Sequence, residues 1–222
     1  MDSNFQDRRE AGRALAAQLG SQLFGADFLV LGLAPGGVPI AYEVARVLDL
    51  PLDVFVVRTL HATRQQDAAV GAIAAGGVRV LDAATIASLG VSPATIDEIA
   101  RHEALELARR EQYYRARRQG PRITGRDVVL VDDGLTAPSV LRIAADALSS
   151  YHPSKLVVAV PIAPPELRDR LDSAVDALVS ALPPQPVGRL YEDDAPVSDR
   201  DVRQLLTEYV DARLPFVERR AS

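Results

Sequence analysis

The chain has 222 residues, of which 48% are hydrophobic and 25% charged; it contains no cysteine and carries a formal net charge of −5. This composition is that of an ordinary globular protein with a sizeable core, and the lack of cysteine excludes disulfides, thiolate nucleophiles and cysteine-ligated metals. The acidic balance argues against broad nucleic-acid binding, which needs a basic surface, but allows a phosphorylated small molecule at a local positive site.

The opening residues do not resemble a signal peptide. Asp2, Asp7, Arg8, Arg9 and Glu10 place charges where an export signal needs an apolar segment. No apolar run approaches the length that crosses a bilayer. We therefore expect a cytoplasmic protein that makes no contact with a membrane.

In chain order, strand-like and helical patterns alternate. Predominantly apolar runs predict strands that are buried on both faces, as in a parallel sheet; they lie at 28–33, 52–57, 128–131, 155–163 and 174–182. Apolar residues at helical spacing, or a serine or proline at a helix start, predict helices. These lie at 5–19, after the Gly36–Gly37 turn, from Ser92 to about Arg118, from Pro138 to Leu148, at 164–171, and from Ser198 onward with Asp201 as capping partner.

The alternation of buried strands with helices predicts an α/β protein with a doubly wound parallel sheet. We expect a single domain over 1–222. The stretch at about 60–118 breaks the alternation, because a polar loop at 61–67 precedes short strands or a hairpin and then a long helix. This stretch is therefore predicted to be an insertion into the domain.

The residues that carry chemistry are concentrated where the strand at 128–131 ends. Asp132 and Asp133 follow it directly, and a short loop at 134–137 precedes Pro138, which suits the first position of a helix. Loop amides and the helix dipole favour an anion, while carboxylates at a strand end favour sugar hydroxyls or a hard metal ion. A strand-end aspartate can also cap the next helix, so the pattern alone leaves a ligand site and a structural cap about equally open.

A series of blocks, in order along the chain, resembles type I phosphoribosyltransferases and in particular a bacterial group of predicted phosphoribosyltransferases. The blocks are FQDRREAGRALAAQL, VLGLAPGGVPIAYEVARVL, LDVFVVRTL, VGAIAAGG, ELARREQYYR, VVLVDDGL, VVAVPIAPP and LYEDDAPVSD. The resemblance implies the type I phosphoribosyltransferase fold. It also implies a site for PRPP, whose pyrophosphate is displaced at the anomeric carbon, with Mg²⁺ on pyrophosphate and ribose oxygens.

The same resemblance implies a partner for each part of PRPP. Asp132 and Asp133 are the expected catalytic residues, which would meet the ribose hydroxyls and the metal ion. Small and hydroxyl-bearing residues are expected to hold the 5′-phosphate: Gly134, Leu135, Thr136, Ala137 and Ser139. The expected pyrophosphate contacts follow two other strands, at Pro35, Gly36, Gly37 and Arg58.

At several of these positions the chain departs from the family pattern. Pro35 stands where the family has an arginine and Thr59 where it has a lysine. Pro138 removes an amide donor from the phosphate loop. The mobile loop of the family is replaced by the segment 61–67, in which Arg64 could return one positive charge. We therefore expect a protein that binds a phosphorylated sugar such as PRPP with weak or lost transferase activity. The alternative is a non-catalytic relative with a regulatory or partner-binding role.

Two other patterns in the sequence point to no further function. A receiver domain also has an acid pair after a strand, but it places the pair on its first strand, whereas here the pair follows residue 131. His61, His102 and His152 show no metal-binding spacing. A homo-oligomer is compatible with the sequence, which does not fix the oligomeric state.

Overall fold

The computed structural model describes residues 5–22, 28–62, 69–74, 77–116, 118–171, 174–184 and 189–218. The strands are β1 (Phe28–Leu33), β2 (Leu52–Phe55), β3 (Val57–His61), β4 (Ala69–Ala74), β5 (Arg79–Leu81), β6 (Asp127–Val131), β7 (Lys155–Ile162) and β8 (Ala177–Leu182). The helices are α1 (Arg8–Gln22), α2 (Gly37–Leu48), α3 (Ala83–Leu89), α4 (Pro93–Tyr114), α5 (Pro138–Ser149), α6 (Leu167–Leu171) and α7 (Asp199–Glu218). None of these helices is both long and apolar enough to span a bilayer.

A five-stranded parallel sheet forms the centre of the fold, in the order β2-β1-β6-β7-β8. Side chains alternate between its two faces, and both faces are covered by helices, which is why the inner strands β1, β6 and β7 are almost entirely apolar. Val30, Val129 and Val157 pack with α1 and α2 on one face. Leu130 and Val158 pack with α5 on the other. The predicted doubly wound parallel sheet is therefore confirmed.

The order of the strands places a crevice between β1 and β6. The chain passes from β1 outward to β2 at the edge, and β6 then pairs with the other side of β1. In open α/β sheets, ligands bind where the strand order reverses, outside the carboxyl ends of the strands. Those ends are Leu33 and Val131 here. The Gly36–Gly37 turn and the Asp132–Asp133 pair therefore lie at the same edge of the sheet.

A second, antiparallel sheet has the order β3-β4-β5. Together with α3 and α4 it occupies 57–114, and it contains the short strands expected in the predicted insertion. Helix α4 begins as predicted, with the Ser92 hydroxyl accepting the N–H of Thr95 at 3.1 Å. Ser198 and Asp201 also form the expected reciprocal cap of α7. The division of the chain into domains stays a prediction.

The predicted strand over 52–57 is wrong at its end. Strand β2 stops at Phe55, and β3 begins a different sheet at Val57. Val56 connects the two sheets and is buried. The apolar run continues through it because both sheets bury side chains there, so the run does not show where β2 ends. The larger of the other boundary differences are that α1 runs from Arg8 to Gln22, α4 ends at Tyr114, α6 begins at Leu167 and β8 begins at Ala177.

Helix α3 is absent from the sequence-based prediction, although both of its ends carry capping signals. The Asp82 side chain accepts the N–H groups of Ala84 and Thr85, each at 3.0 Å, and Gly90 ends the helix in the left-handed conformation. The helix has no buried residue. Only the partly buried Ile86 and Leu89 pack on the core, so its apolar face is smaller than those on which the prediction of the other helices relied.

Candidate functional site

The turn after β1 and the acidic pair after β6 are in direct contact. A Cβ atom added to Gly36 would overlap the carboxylate of Asp133, whose Cγ would be 2.6 Å away. A Cβ atom added to Gly37 would overlap the carbonyl oxygen of Val131. Only glycine allows the two segments to approach so closely. The structure thus brings together two groups of predicted site residues that are far apart in the sequence.

We expect Gly36→Ala to destabilise the protein by about 1–3 kcal/mol, the usual cost of adding an atom to a well-packed region. The reason is that the new Cβ would press on the Asp133 carboxylate. Chemical denaturation of the variant and the wild type measures this cost. Gly20→Ala in α1 is a suitable control, because its Cβ would meet only the Leu48 side chain, at 3.2 Å. Equal stability of the two variants would contradict the contact between Gly36 and Asp133.

Asp132 is buried, with 1% of its surface exposed, and the following loop folds back onto its carboxylate. Oδ2 accepts the N–H of Gly134 at 2.9 Å, and Oδ1 accepts the hydroxyl of Thr136 at 2.6 Å. Gly134 has a φ of 77°, a left-handed conformation that favours glycine. Asp132 therefore fixes the shape of the loop that follows it.

Asp133 forms a buried ion pair with a residue from the beginning of the chain. Its Oδ2 accepts two hydrogen bonds from Arg8, from Nε at 3.1 Å and from Nη2 at 3.0 Å. Its Oδ1 accepts the N–H of Leu135 at 3.1 Å. The Arg8 and Asp133 side chains are only 11% and 9% exposed. One of the two predicted catalytic carboxylates is thus neutralised within the protein.

Arg8 and Tyr191 are site residues that the sequence analysis does not identify. The Tyr191 hydroxyl donates to the backbone carbonyl of Asp133 at 2.6 Å, and the Arg8 guanidinium lies 4.9 Å from the centre of the Tyr191 ring. Both residues lie within blocks that carry the family resemblance, FQDRREAGRALAAQL and LYEDDAPVSD. That membership is the only sequence signal for them, because no local pattern links either block to Asp133.

The acidic pair, as arranged, does not fit a metal ion held directly by its carboxylates. Protein donors contact every carboxylate oxygen of Asp132 and Asp133, and Arg8 supplies the positive charge beside them. Within the described residues, no three or more His, Asp or Glu side chains are grouped so that they could hold a metal ion. A divalent ion here would need oxygens brought by a ligand, so the expected Mg²⁺ stays a prediction.

Burial and the neighbouring charge of Asp133 raise the pKa of Asp132 to about 6, although the hydrogen bonds from Thr136 and Gly134 oppose this shift. The folded protein therefore binds more protons than the unfolded chain at pH values between about 4 and 6, and stability from this group is lost as the pH rises through that range. We expect Asp132→Asn to abolish this pH-dependent loss of stability, which is on the order of 2 kcal/mol, because the asparagine side chain does not titrate. Denaturant unfolding between pH 4 and pH 8, a range of about four units around this pKa, measures the effect.

The Thr136 hydroxyl provides an internal control for this pH dependence. Thr136→Val removes a hydrogen bond that lowers the pKa of Asp132, so the loss of stability should move to higher pH. A pH profile of Asp132→Asn that runs parallel to the wild-type profile would show that Asp132 is not the responsible group.

The loop at 134–139 presents unused hydrogen-bond donors at the beginning of α5. Gly134 and Leu135 direct their N–H groups to the acidic pair, whereas the N–H groups of Thr136, Ala137 and Ser139 have no acceptor among the described residues. Pro138 occupies the first helical position, as predicted, and no side chain caps the helix. Free N–H groups at a helix N-terminus favour an anion.

A cavity of about 550 Å³ opens beside this loop, between the start of α5 and the segment that follows β7. Its walls are mainly apolar and include Leu141, Val160 and Ile162, while Asp132, Thr136 and Glu166 contribute polar groups. The volume and the mixture of apolar walls with few polar groups are typical of small-molecule sites.

The remaining predicted residues are placed differently. Arg58 lies in β3, where it pairs with Glu103 of α4 at 2.6 Å. Pro35 is exposed in the turn before Gly36 and brings neither a charge nor an N–H donor. Arg64 lies outside the described residues. Of the described residues expected to hold pyrophosphate, Gly36 and Gly37 are the ones that contact the end of β6.

Comparison with known proteins defines the class of this fold and site. The model of the phosphoribosyl transferase domain matches residues 3–182, and the chain belongs to this family. The crystal structure of TT1426 from Thermus thermophilus is 36% identical and covers 93% of this chain and 99% of that chain, with a TM-score of 0.78. The expected type I phosphoribosyltransferase fold is thus confirmed.

Relatives in two strains of Mycobacterium tuberculosis carry the name "Putative phosphoribosyl transferase". Each is 39% identical over 201 residues, a match that covers 89% of this chain and 45% of the relative. The chain therefore spans about half the length of the curated relatives it matches. The similarity concerns the phosphoribosyl transferase domain.

Proposed function

We propose that the chain binds a phosphorylated sugar such as PRPP across the end of β6. In this proposal the loop at 134–139 holds the 5′-phosphate, and Asp132 meets the ribose hydroxyls. The observation that carries the proposal is that the loop directly after the buried Asp132 contains three N–H groups with no acceptor among the described residues. They belong to Thr136, Ala137 and Ser139. This arrangement stands where the strand order reverses, and the family of the chain supports the choice of ligand.

The phosphate would be held by backbone donors and by the Ser139 hydroxyl rather than by a cation. Each charge-assisted hydrogen bond contributes roughly 1.5–3 kcal/mol. Pro138 contributes none because it has no N–H, and Ala137 has no hydroxyl. We therefore expect binding that is specific but weaker than a loop with the full family pattern would give.

Asp132 is the carboxylate that remains available to ribose. Each of its oxygens accepts one hydrogen bond from the loop and has a further lone pair for a sugar hydroxyl. Oδ2 of Asp133 already accepts two hydrogen bonds from Arg8. The two predicted catalytic residues would therefore act differently: Asp132 on the ligand, and Asp133 in holding Arg8 and Leu135.

The cavity beside the loop is the place that we assign to the group attacking the anomeric carbon, because Asp132 and Thr136 lie at its edge. Its volume of about 550 Å³ accommodates a small planar acceptor. The predominantly apolar walls favour a ring with few charged substituents.

A specific observation favours the alternative of a non-catalytic relative. Within the part of the chain that the structure describes, three cations that could stabilise a departing pyrophosphate are held in ion pairs elsewhere: Arg58 with Glu103, Arg109 with Glu106, and Arg115 with Asp53. Because Pro35 and Thr59 stand in the positions of the family's arginine and lysine, the chain would still bind the ligand but would no longer catalyse transfer. In that case the bound sugar phosphate would act as a signal or as a stabiliser of the fold.

Isothermal titration with PRPP, with and without Mg²⁺, tests the proposal. We expect saturable binding by the wild type, weakened about tenfold in Ser139→Ala by the loss of one charge-assisted hydrogen bond. Ser150→Ala is the matched control: it is the same substitution at the opposite end of α5, where the hydroxyl donates to the Asp146 carbonyl. No saturable binding, or equal affinity of Ser139→Ala and the wild type, would contradict the assignment.

Four expectations on the setting of this function stay predictions: Mg²⁺ at Asp132 and Asp133, a cytoplasmic location, no nucleic-acid partner and a homo-oligomeric state.

A further inference from the structure

We propose that the Arg8 guanidinium is a built-in counter-ion of Asp133 and that its positive charge prevents divalent cations from binding to the Asp132–Asp133 pair. This inference concerns the protein without a sugar phosphate and does not depend on the proposed function. Its consequence for any ligand is that the pair presents one net negative charge instead of two.

The contacts of Arg8 are those of a fixed counter-ion. Two of its nitrogens donate to the same oxygen of Asp133, at 3.1 and 3.0 Å, and the pair is almost completely buried. The third nitrogen, Nη1, donates to the carbonyl of Ala195 at 3.0 Å. All three guanidinium nitrogens therefore donate to oxygens of the protein, on one side to Asp133 and on the other to Ala195.

A backbone brace holds Arg8 in this place. Residues 5 and 6 run beside residues 190–193, with Phe5 and Tyr191 paired in parallel. Phe5 donates to the Leu190 carbonyl at 3.0 Å, while Glu192 and Asp193 donate to the carbonyls of Phe5 and Gln6, each at 2.9 Å. The same brace positions Tyr191, which contacts both Arg8 and the backbone of Asp133. The brace thus places both Arg8 and Tyr191 in contact with Asp133.

Removing the charge of Arg8 would expose a latent cation site. Asp132 and Asp133 are adjacent, buried carboxylates, and hard divalent cations prefer such oxygen ligands. Arg8 competes with a cation for Oδ2 of Asp133 and repels it electrostatically. Replacement by glutamine keeps one hydrogen-bond donor near Asp133 but removes the charge. The affinity for a divalent cation should therefore rise.

The test is a titration with Mn²⁺, followed by electron paramagnetic resonance, on protein free of any sugar phosphate. Arg8→Gln should bind Mn²⁺ about tenfold more tightly than the wild type, or better. Arg8→Lys should behave like the wild type because it restores the charge. Arg9→Gln is the matched control, since Arg9 neighbours Arg8 but is 54% exposed and faces Glu43 instead of Asp133.

A gain of Mn²⁺ affinity in Arg8→Gln alone supports the inference, and such a gain is not produced by loss of structure. Unchanged affinity in folded Arg8→Gln, or an equal gain in Arg9→Gln, overturns it. If Arg8→Gln does not fold, a comparison of the wild type with Asp132→Asn decides. Equal, weak Mn²⁺ binding by these two proteins supports the inference, whereas binding by the wild type that Asp132→Asn abolishes overturns it.

Discussion

Replacing Asp133 by alanine should destabilise the protein by about 3–5 kcal/mol, because it leaves the Arg8 charge buried without its partner. The ion pair has side-chain exposures of 11% and 9%, so water cannot replace the missing carboxylate. The same cost is expected for Arg8→Ala, because this substitution leaves the Asp133 carboxylate buried without its counter-ion. Chemical denaturation of both variants measures the loss of free energy of unfolding.

The ion pair of Arg142 with Asp146, in α5, provides the control. Its side chains are 34% and 31% exposed, and the residues are one helical turn apart. Asp146→Ala should therefore cost less than about 1 kcal/mol. If Asp133→Ala costs no more than Asp146→Ala, the Arg8–Asp133 pair is not the buried element described above. A double variant of Arg8 and Asp133 that costs much less than the sum of the single variants would confirm their coupling.

Transfer from PRPP should be absent or slower than ordinary enzyme turnover by a factor that approaches a millionfold. The reason is the loss of two cations, at Pro35 and Thr59, each of which could stabilise developing pyrophosphate charge by about 2.7–4 kcal/mol, as single oxyanion donors do. Among the described residues, Arg58, Arg109 and Arg115 are held by Glu103, Glu106 and Asp53. Arg118 donates to the Arg115 carbonyl. Release of pyrophosphate from PRPP with Mg²⁺ and a panel of purine and pyrimidine bases measures the rate.

Turnover of about 1–1000 per second with any base would contradict this prediction. The complementary experiment repairs the family pattern with Pro35→Arg, Ala137→Thr and Pro138→Gly. This variant should bind PRPP more tightly than the wild type, because it regains a cation, a hydroxyl and an N–H donor. A repaired loop with no affinity for PRPP would show that the resemblance does not extend to the ligand.

The features that could be predicted from the sequence are those in which one segment carries the whole signal. The apolar runs of β1, β6 and β7 identify buried parallel strands because both faces of the sheet are covered. The acidic pair, its loop and Pro138 form a continuous stretch, and the structure keeps them as one strand–loop–helix unit. The position of the crevice follows from the order of the strands, which only the structure gives.

The features that could not be predicted depend on contacts between distant segments. Arg8 reaches Asp133 across 125 positions of the sequence, through a brace with residues 190–193 that no local pattern reveals. The break at Val56 is hidden for the opposite reason, because a continuous apolar run does not show that it leaves one sheet and enters another. The family resemblance predicts that Arg58 contacts the ligand. In the structure Arg58 pairs with Glu103 of α4, a helix that packs on the second sheet, and no local pattern shows this contact.

The measurement that tests the central claim most directly is an NMR titration of ¹⁵N-labelled protein with ribose 5-phosphate, which carries the phosphate and the sugar but no pyrophosphate. We expect saturable shifts that are largest for the N–H signals of Thr136, Ala137 and Ser139, the donors without an acceptor among the described residues. Smaller shifts should appear at Gly134, which donates to Asp132. Shifts concentrated away from the loop at 134–139, or no saturable shift at all, would contradict the assignment of the phosphoribosyl site.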